Sequence, residues 1–434
     1  MSTSRRTFLL RSTTTAFAAG SLPAMLRAAP ASTVSAEALR TGLLPLGVPG
    51  RDYLPTVTPN SVTLPHRVVN GAKVFHLIAE DVEHEFAPGM KAHCWGYNGR
   101  VHGPTIEAVE GDRVRIYVTN RLDVPTSVHW HGFLIPNGMD GVGGLTQRPI
   151  PPGDTFKYEF VLRQHGTYMY HSHHDEMTQM AMGMMGMFVI HPRNPSSPPP
   201  DRDYTFLLSE WKMTPGVRRP DPNEMADFNV LTFNAKIAPA TESIVARTGE
   251  RVRIRIGNLS AMDHHPIHLH GHSFVVTETD GGVIPEQGRW PEVSVLVPVG
   301  STRTIEFVAD NPGDWALHCH MTHHVMTQMG HGIPNLIGVD PSLFDHKIEE
   351  VVPEFEGMGM AMDGEADDSI PPNSLPMVST RGPFGYITMS GMFTLLKVRD
   401  QLDEHGTASA YVHPSGTVAD SASKEDLKTD GIET

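Results

Sequence analysis

Four His-x-His pairs stand out among the residues that could do chemistry. Alternate side chains of a β-strand share a face, so both imidazoles of such a pair project together. A single pair on an exposed strand is weak support for a metal site, but four pairs supply eight imidazoles, which are common metal ligands. The pairs are His129 and His131, His171 and His173, His268 and His270, and His318 and His320.

A cysteine lies inside the last of these pairs. Because Cys319 stands between two histidines of one strand, its thiol points to the face opposite both imidazoles. His265 precedes it, His324 follows by five positions, and Met329 follows His324 by five more. One thiolate, two imidazoles and a weak thioether form the ligand set of a blue-copper site. Zinc is the alternative partner for Cys and His, but the eight further histidines fit a closed zinc site poorly.

An internal repeat must position these residues. Gly111–Asn120 recurs as Gly249–Asn258, each time an alternating strand pattern entered through a Gly turn, and the paired histidines recur in the same order. Such a unit of short strands, in a chain with 40 Gly and 36 Pro, predicts an all-β protein of two tandem β-sandwich domains. We expect domain 1 at 60–195, a Pro-rich linker at 196–200, domain 2 at 201–345, and an irregular extension at 346–434 with an acidic Met-rich arm, a strand segment at 382–399 and a disordered tail.

The motifs around these residues resemble the four signatures of the multicopper oxidase family, in the family's order. They read His129-Trp-His-Gly, His171-Ser-His, His265-Pro-Ile-His-Leu-His-Gly and His318-Cys-His-x3-His-x4-Met, and the similarity spans roughly residues 95 to 340. Because too few residues separate the second and third motifs for a middle domain, the chain resembles the two-domain, or small, laccases. The resemblance implies cupredoxin-like Greek-key domains, about four coppers per chain, and a homotrimer with trinuclear copper clusters between subunits.

The resemblance also implies a role for each motif residue. The type 1 copper would take His265, Cys319 and His324 with Met329 axial, the type 2 copper would take His129 and His268, and the type 3 pair would take His131, His171, His173, His270, His318 and His320. Cys319 with its neighbours His318 and His320 would carry electrons between the centres. Asp140 falls where the family has a carboxylate for proton delivery, although a turn aspartate in this Gly-rich context is equally compatible.

The first repeat differs from the second at the blue-copper positions. Ser172 stands where Cys319 stands, while by spacing Thr126, Met177 and Met182 match His265, His324 and Met329. Only the second domain should therefore bind a blue (type 1) copper. The remaining nearby histidines are interpreted as surface or supporting groups: His174, His264, His272, His323 and His331.

Methionines cluster in two places. One group directly follows the His171 motif, and the other lies in the acidic arm. Soft thioethers favour Cu(I), so the first group could be a cuprous-ion entry site, but packing into the vacant pocket and core is the favoured interpretation. The residues are Met177, Met180, Met182, Met184, Met185 and Met187, and then Met358, Met360 and Met362.

Charge and the N-terminus limit the partners and the location. A net charge of -15 argues against nucleic-acid binding, and past the N-terminus no apolar run is long enough to span a membrane. Ser4-Arg5-Arg6 with the following apolar stretch predicts a twin-arginine signal over residues 1–31, hence a periplasmic or secreted protein. With Cys319 assigned to a metal, Cys94 should be a buried free thiol.

The leading functional hypothesis is a copper-dependent oxidase that uses small phenols or metal ions as reductants and O2 as acceptor. One variant of it is a cuprous-ion or Mn(II) oxidase for copper tolerance. Copper nitrite reductase is a second enzyme hypothesis, disfavoured because that family is expected to carry its blue copper in the first domain. A periplasmic copper-sequestering protein is the non-enzymatic alternative.

Overall fold

Strands make up nearly all of the regular structure in this computed structural model, which describes residues 44–214, 217–280, 282–326, 381–387, 389–403 and 406–433. The all-β prediction is confirmed. The expected signal segment, Met329, His331 and the acidic arm with its methionines lie outside the described residues. In the described part of the chain, no helix is both long and apolar enough to cross a bilayer.

Two sheets pack face to face in the first half. The elements are β1 Arg67–Val69, β2 Ala72–Ala87, β3 Met90–Tyr97, β4 Ile106–Val109, β5 Arg113–Asn120, β6 Val128–His131, β7 Thr155–Val161, β8 Gly166–Ser172, helix α1 Glu176–Ala181 and β9 Met185–His191. One sheet has the order β1-β2-β5-β7, with β3 also paired to β2, and the other has the order β4-β9-β8-β6. Side chains from both sheets, Phe75 of β2 and Trp130 of β6 among them, form one buried apolar cluster.

The second half repeats this arrangement. Its elements are β10 Arg202–Trp211, β11 Val230–Phe233, β12 Ile244–Arg247, β13 Arg251–Asn258, β14 His265–Leu269, β15 Phe274–Thr279, β16 Gly282–Val283, β17 Pro291–Glu292, β18 Ser294–Val297, β19 Ser301–Val308, β20 Gly313–Cys319, α2 Thr322–Val325, β21 Arg381–Gly382, β22 Gly385–Tyr386, β23 Phe393–Arg399 and α3 Lys424–Thr429. Its two main sheets have the orders β11-β10-β13-β19-β15-β16, with β17 on β15, and β12-β23-β20-β14-β18.

The two halves share strand directions as well as strand order. The parallel pair β2–β5 corresponds to β10–β13, and the parallel pair β4–β9 corresponds to β12–β23. The repeated sequence segments become β5 and β13, and the glycines before them, Gly111 and Gly249, adopt positive φ angles of 84° and 88° that only glycine tolerates easily. Alternating burial along β5 shows why the pattern predicted a strand.

The last strand of the second half comes from the C-terminal segment. β23 pairs antiparallel with β20 and parallel with β12, and therefore completes the sheet that carries Cys319. Strand character at 382–399 was predicted, but the expected second domain, 201–345, does not include this strand. The part of the polar tail that the structure describes contains α3, which Ser423 caps by accepting a hydrogen bond from the Asp426 amide at 3.0 Å.

Buried polar contacts and methionines join the two halves. Arg255, 1% exposed, donates to both carboxylate oxygens of Asp203 at 2.8 and 2.9 Å and to Thr167 Oγ1 of the first half at 2.8 Å. Beside this contact, methionines of β8 and β9 pack against Leu207 and Leu259 of the second half. This junction fixes how the histidine-bearing strands of one chain are arranged relative to each other.

Candidate metal centres

The first four paired histidines lie together at the ends of β6 and β8. The two strands are antiparallel neighbours with His129 opposite His171, and His131 and His173 complete the group, which we call the first quartet. Ring centroids within it lie 5.3 to 5.9 Å apart, and His131 Nδ1 lies 3.3 Å from His171 Nε2.

The other four form a second quartet at the ends of β14 and β20. His268 lies opposite His318 in the antiparallel register, and His270 and His320 lie beside them. Here the ring centroids lie 4.7 to 5.6 Å apart, and the Nε2 atoms of His270 and His318 lie 3.0 Å apart. The period-two alternation of the strands therefore brings the paired imidazoles together as the sequence predicts.

Backbone carbonyls hold four of these rings in the tautomer that a metal requires. A carbonyl only accepts, so each bonded Nδ1 carries the hydrogen and each Nε2 keeps a lone pair. The bonds run from His129 to Asp140 O, from His171 to Ser172 O, from His268 to Val293 O and from His318 to Cys319 O, at 2.6 to 2.8 Å. The chain thus prepares one free nitrogen on each ring.

Burial favours the neutral form of four imidazoles in the two quartets. It lowers the pKa of His171 to about 3, and it also lowers the pKa of His131, His270 and His318, with neighbouring histidines adding in the same direction. Neutral imidazole is the form that binds a metal. The Nε2 of His318 faces that of His270 at a separation that one proton or one metal ion can bridge.

The third group consists of His265, Cys319 and His324. All three side chains are fully buried, the two Nδ1 atoms lie 3.0 Å apart, and Cys319 Sγ lies 3.3 Å from His324 Nδ1 and 3.7 Å from His265 Nδ1. Burial lowers the pKa of His324 to about 4 and raises the pKa of the Cys319 thiol to about 12. A metal ion bound here must therefore displace the thiol proton.

Cys319 connects the third group with the second quartet. Its side chain belongs to the apolar core cluster of the second half, while the flanking His318 and His320 project to the quartet on the other face. The donor set of one thiol and two imidazoles, each offering Nδ1, fits a blue copper better than a closed zinc site. The thioether assigned by spacing, Met329, lies outside the described residues and stays a prediction.

Supporting residues around the third group were missed at the sequence level. Ser260 Oγ lies 2.7 Å from His265 Nε2, and an Asp263 oxygen lies 3.7 Å from His324 Nε2. Glu210 of β10, 5% exposed, accepts hydrogen bonds from the amides of Met262 and Asp263 and so holds this turn. Burial and the adjacent Asp263 carboxyl raise the pKa of Glu210 to about 8. A short polar turn before a His-Pro motif is the only sequence signal for Ser260 and Asp263, and none exists for Glu210.

Two carboxylates border the first quartet. An Asp140 oxygen lies 3.4 Å from His129 Nδ1, so the predicted carboxylate does stand at the quartet, although its role in proton delivery stays a prediction. Glu176, not predicted, lies 3.6 Å from His171 Nδ1 and 3.7 Å from His173 Nε2. Its place in the first turn of α1, three residues after His173, is the signal that could have indicated it.

The first half contains a hydrogen-bonded polar triad at the place that corresponds to the third group. Gln179 Oε1 accepts from Thr126 Oγ1 at 2.7 Å and from Ser172 Oγ, and all three residues are buried. The expectation that Met177 matches His324 and fills this pocket is wrong, because Met177 is 63% exposed and Gln179 occupies the position. The loop after Ser172 is two residues longer than the loop after Cys319, so equal spacing misaligned it.

The remaining predicted groups separate into buried and exposed ones. Met182, Met184, Met185 and Met187 are buried, which favours packing over copper binding for these four. Cys94 is a buried free thiol, as predicted. Four of the extra histidines lie in the described part of the chain. His264 Nδ1 accepts a hydrogen bond from the Val299 amide. His174 lies beside Ser172, His272 packs against Trp315, and His323 is exposed on α2.

Comparisons with known proteins agree with this geometry. Residues 79–195 and 214–336 each match the multicopper oxidase family. Copper resistance protein A of Escherichia coli is 31% identical over 241 residues, covering 44% of this chain and 40% of that protein. Multicopper oxidase MmcO of Mycobacterium tuberculosis is 34% identical over 233 residues, covering 44% of each. The crystal structure of blue copper oxidase from Nitrosomonas europaea has a TM-score of 0.56 and 27% identity, covering 75% of this chain and 85% of that one. The chain thus matches less than half the length of these two curated relatives.

Proposed function

This chain belongs to the multicopper oxidase family, and we propose that it is a laccase-like oxidase that couples one-electron oxidation of a small reductant to four-electron reduction of dioxygen to water. Copper is its cofactor. The observation that carries the proposal is the position of Cys319, whose thiol lies in one candidate centre while its neighbours on either side lie in another.

The described residues supply a complete set of imidazole ligands. The type 1 copper would take His265, Cys319 and His324, the type 2 copper would take His129 and His268, and the type 3 pair would take His131, His171, His173, His270, His318 and His320. When bound, copper supplies one-electron steps at several centres, so that four electrons can be collected for one dioxygen. The chain itself provides imidazoles that backbone hydrogen bonds orient, and a short covalent connection from the Cys319 sulfur to the two flanking rings.

Each quartet offers half of an eight-histidine cluster, which supports assembly between chains. Among the described residues, the ring contacts of either quartet stay within that quartet. Large apolar side chains stand exposed close to each quartet along the chain or the sheet. Met177 follows His173 by four positions, and Leu145 follows Gly143, whose amide donates to His173 O. Val293 binds His268 through its carbonyl, and Leu296 lies opposite Pro266 of β14. A head-to-tail contact would cover both surfaces and join a first quartet to a second quartet of the next chain, and a closed ring of three such contacts gives a homotrimer.

A mixing experiment tests this arrangement. One variant carries His129→Ala and His131→Ala, and the other carries His268→Ala and His270→Ala; each alone should lack oxygen reduction. Trimers reassembled from an equal mixture contain some contacts with both quartets intact, so activity returns if the cluster lies between chains. Activity that stays absent in mixtures that sizing proves to be mixed trimers would contradict the proposal. A variant with all four substitutions in one chain, mixed with the wild-type protein, is the matched control. It measures how much activity is lost when wild-type chains are diluted by inactive ones.

The reductant is proposed to be a phenol or a low-valent metal ion. The relatives named copper resistance protein A favour copper tolerance as the second candidate, in which Cu(I) or Mn(II) is the physiological reductant. Oxygen uptake with buffered Cu(I) and with a methoxyphenol at matched concentration separates the two. If Cu(I) is the substrate of a thioether site, Met177→Leu should weaken its use and leave the phenol reaction unchanged.

Nitrite reductase and simple copper storage are less well supported. The triad of Thr126, Ser172 and Gln179 offers no thiolate or imidazole where a blue copper in the first half would bind. Copper analysis tests storage, because an oxidase should hold about four coppers per chain with blue absorption, whereas storage predicts variable loading without colour.

We also propose export to the periplasm through the twin-arginine signal, which expression with Arg5 and Arg6 changed to Lys would test by cell fractionation.

A further inference from the structure

The strand that completes the sheet carrying Cys319 lies unusually far along the chain from its partner strand. In the first half, β8 ends at Ser172 and its partner β9 begins at Met185, 13 positions later. In the second half, β20 ends at Cys319 and its partner β23 begins at Phe393, 74 positions later. The motif-based assignment of Met329 assumes that the interval after His324 is short, as it is in the first half.

Matching backbone hydrogen bonds identify equivalent residues in the two halves. The Ser172 amide donates to Met184 O at 3.0 Å, and the Cys319 amide donates to Met392 O at 3.1 Å. The Met184 amide donates to Gln179 O at 3.0 Å, and the Met392 amide donates to His324 O at 3.1 Å. Met392 therefore occupies in the second half the place that Met184 occupies in the first.

Strand register puts the Met392 side chain on the same face as the Cys319 thiol. His318 lies opposite Phe393, so the next antiparallel pair is Cys319 with Met392, and opposite residues of such a pair project to the same side of the sheet. Met392 is fully buried and belongs to the same apolar cluster as Cys319. It is thus a thioether beside the thiol, on the residue that directly precedes β23.

Residue spacing in the first half supports the same equivalence. Met184 follows Gln179 by five positions, the spacing that assigns Met329 to His324 by motif. In the second half a long segment separates His324 from the strand, and its described ends meet at α2, where Val325 O accepts from the amides of Ser390 and Gly391 at 2.8 Å. Spacing along the chain therefore indicates Met329 as the thioether ligand, whereas position in the sheet indicates Met392.

We propose that Met392, rather than Met329, supplies the thioether ligand of the type 1 copper. The inference rests on the proposed function in one respect, that a copper binds His265, Cys319 and His324. It moves the thioether from the loop that follows Cys319 and His324 to the residue before β23, the strand that pairs with β20. The sulfur of Met392 would add weak electron donation to a bound Cu(II), and a weak thioether interaction of this kind tunes the reduction potential of blue-copper sites.

Three leucine variants test the assignment: Met392→Leu, Met329→Leu and Met184→Leu. Leucine keeps the volume and apolar character, so packing is disturbed little, and Met184→Leu is the matched control for the same change at the equivalent copper-free position. Removing the axial donor destabilises Cu(II), so Met392→Leu should raise the type 1 reduction potential and change the copper hyperfine splitting in electron paramagnetic resonance. The other two variants should show the wild-type potential and splitting.

A fourth variant, Met392→Gln, gives a change of opposite sign. The harder amide oxygen stabilises Cu(II), so the reduction potential of the type 1 copper should fall and its visible spectrum should change. The same Met→Gln substitution at Met329 or at Met184 should change neither. A shift that follows Met329→Leu instead, or no shift in either Met392 variant while the blue absorption persists, would overturn the assignment. Absence of blue absorption in copper-loaded wild type would instead refute the proposed function, and the assignment with it.

Discussion

The hydrogen bond between Ser260 and His265 leads to a quantitative prediction about copper affinity. Ser260 is 2% exposed, His265 is fully buried, and the Oγ to Nε2 distance is 2.7 Å. If copper binds Nδ1 of His265, as proposed, Nε2 must carry the hydrogen and donate it to Ser260 Oγ. The substitution Ser260→Ala leaves this buried donor without a partner.

The expected size follows from the change in charge when copper binds. An unpaired buried donor costs about 1 to 3 kcal/mol of folded-state stability whether or not copper is present. Copper binding makes the ring partly cationic, and charge-assisted hydrogen bonds are roughly twice as strong as neutral ones, so about 1 to 1.5 kcal/mol of the loss falls on the copper-bound state alone. Ser260→Ala should therefore weaken copper binding at the blue site by about tenfold, near the lower end of the usual effect of such supporting residues.

Ser209→Ala is a matched control within the same chain. Ser209 Oγ also lies 2.7 Å from a buried imidazole nitrogen, Nε2 of His102. We do not assign His102 to any copper site. Both variants would be titrated with copper against a competing chelator, with blue absorption as the signal and thermal unfolding of the copper-free proteins measured alongside. If both lose stability but Ser260→Ala binds copper within twofold of Ser209→Ala, the reasoning is refuted.

Three further predictions follow from the structure. Cys319→Ser should keep the fold and part of the cluster copper but lose blue absorption and oxidase activity; substantial remaining activity would exclude the proposed electron path. Asp203→Asn should lower the free energy of unfolding of the copper-free protein by about 3 kcal/mol, because Arg255 keeps a buried charge and loses its closest ion-pair partner while Glu278 remains at 3.5 Å, and denaturant titration would measure it. Glu210 has a folded-state pKa raised to about 8 from 4.5, so its protonated form contributes stability that is full below about pH 4.5 and is lost as the pH rises through about 8. The melting temperature of Glu210→Gln minus that of wild type, both copper-free, should therefore increase from pH 5 to pH 9, and a difference that stays constant over this range would contradict the assignment.

Local regularity explains what the sequence could predict. Strand alternation alone places His129 with His131 and His268 with His270 on common faces, and the repeated segments become β5 and β13. The side chain of Cys319 points away from its neighbours for the same reason. These predictions needed only the period of a strand and the order of the repeats.

Long-range pairing explains what it could not predict. Met177 was matched to His324 by equal spacing, but Asp175 adopts a positive φ of 45° and α1 lengthens the first-half loop, so Gln179 takes the place. Glu210 reaches the turn before His265 from a strand more than 50 residues earlier, and β23 reaches β20 across a long interval. Spacing in one dimension carries no signal for contacts of this kind.

The late arrival of β23 has a consequence for the order of folding. Met184 follows Ser172 by 12 positions, whereas Met392 follows Cys319 by 73, and closing the longer loop costs about 1.6 kcal/mol more conformational entropy. The first sandwich can close as soon as residue 191 has left the ribosome, but the second stays one strand short until residue 399 has been made. The half that carries Cys319 is therefore the later of the two sandwiches to close, and a nascent chain held short of β23 would expose the edge of β20 to aggregation.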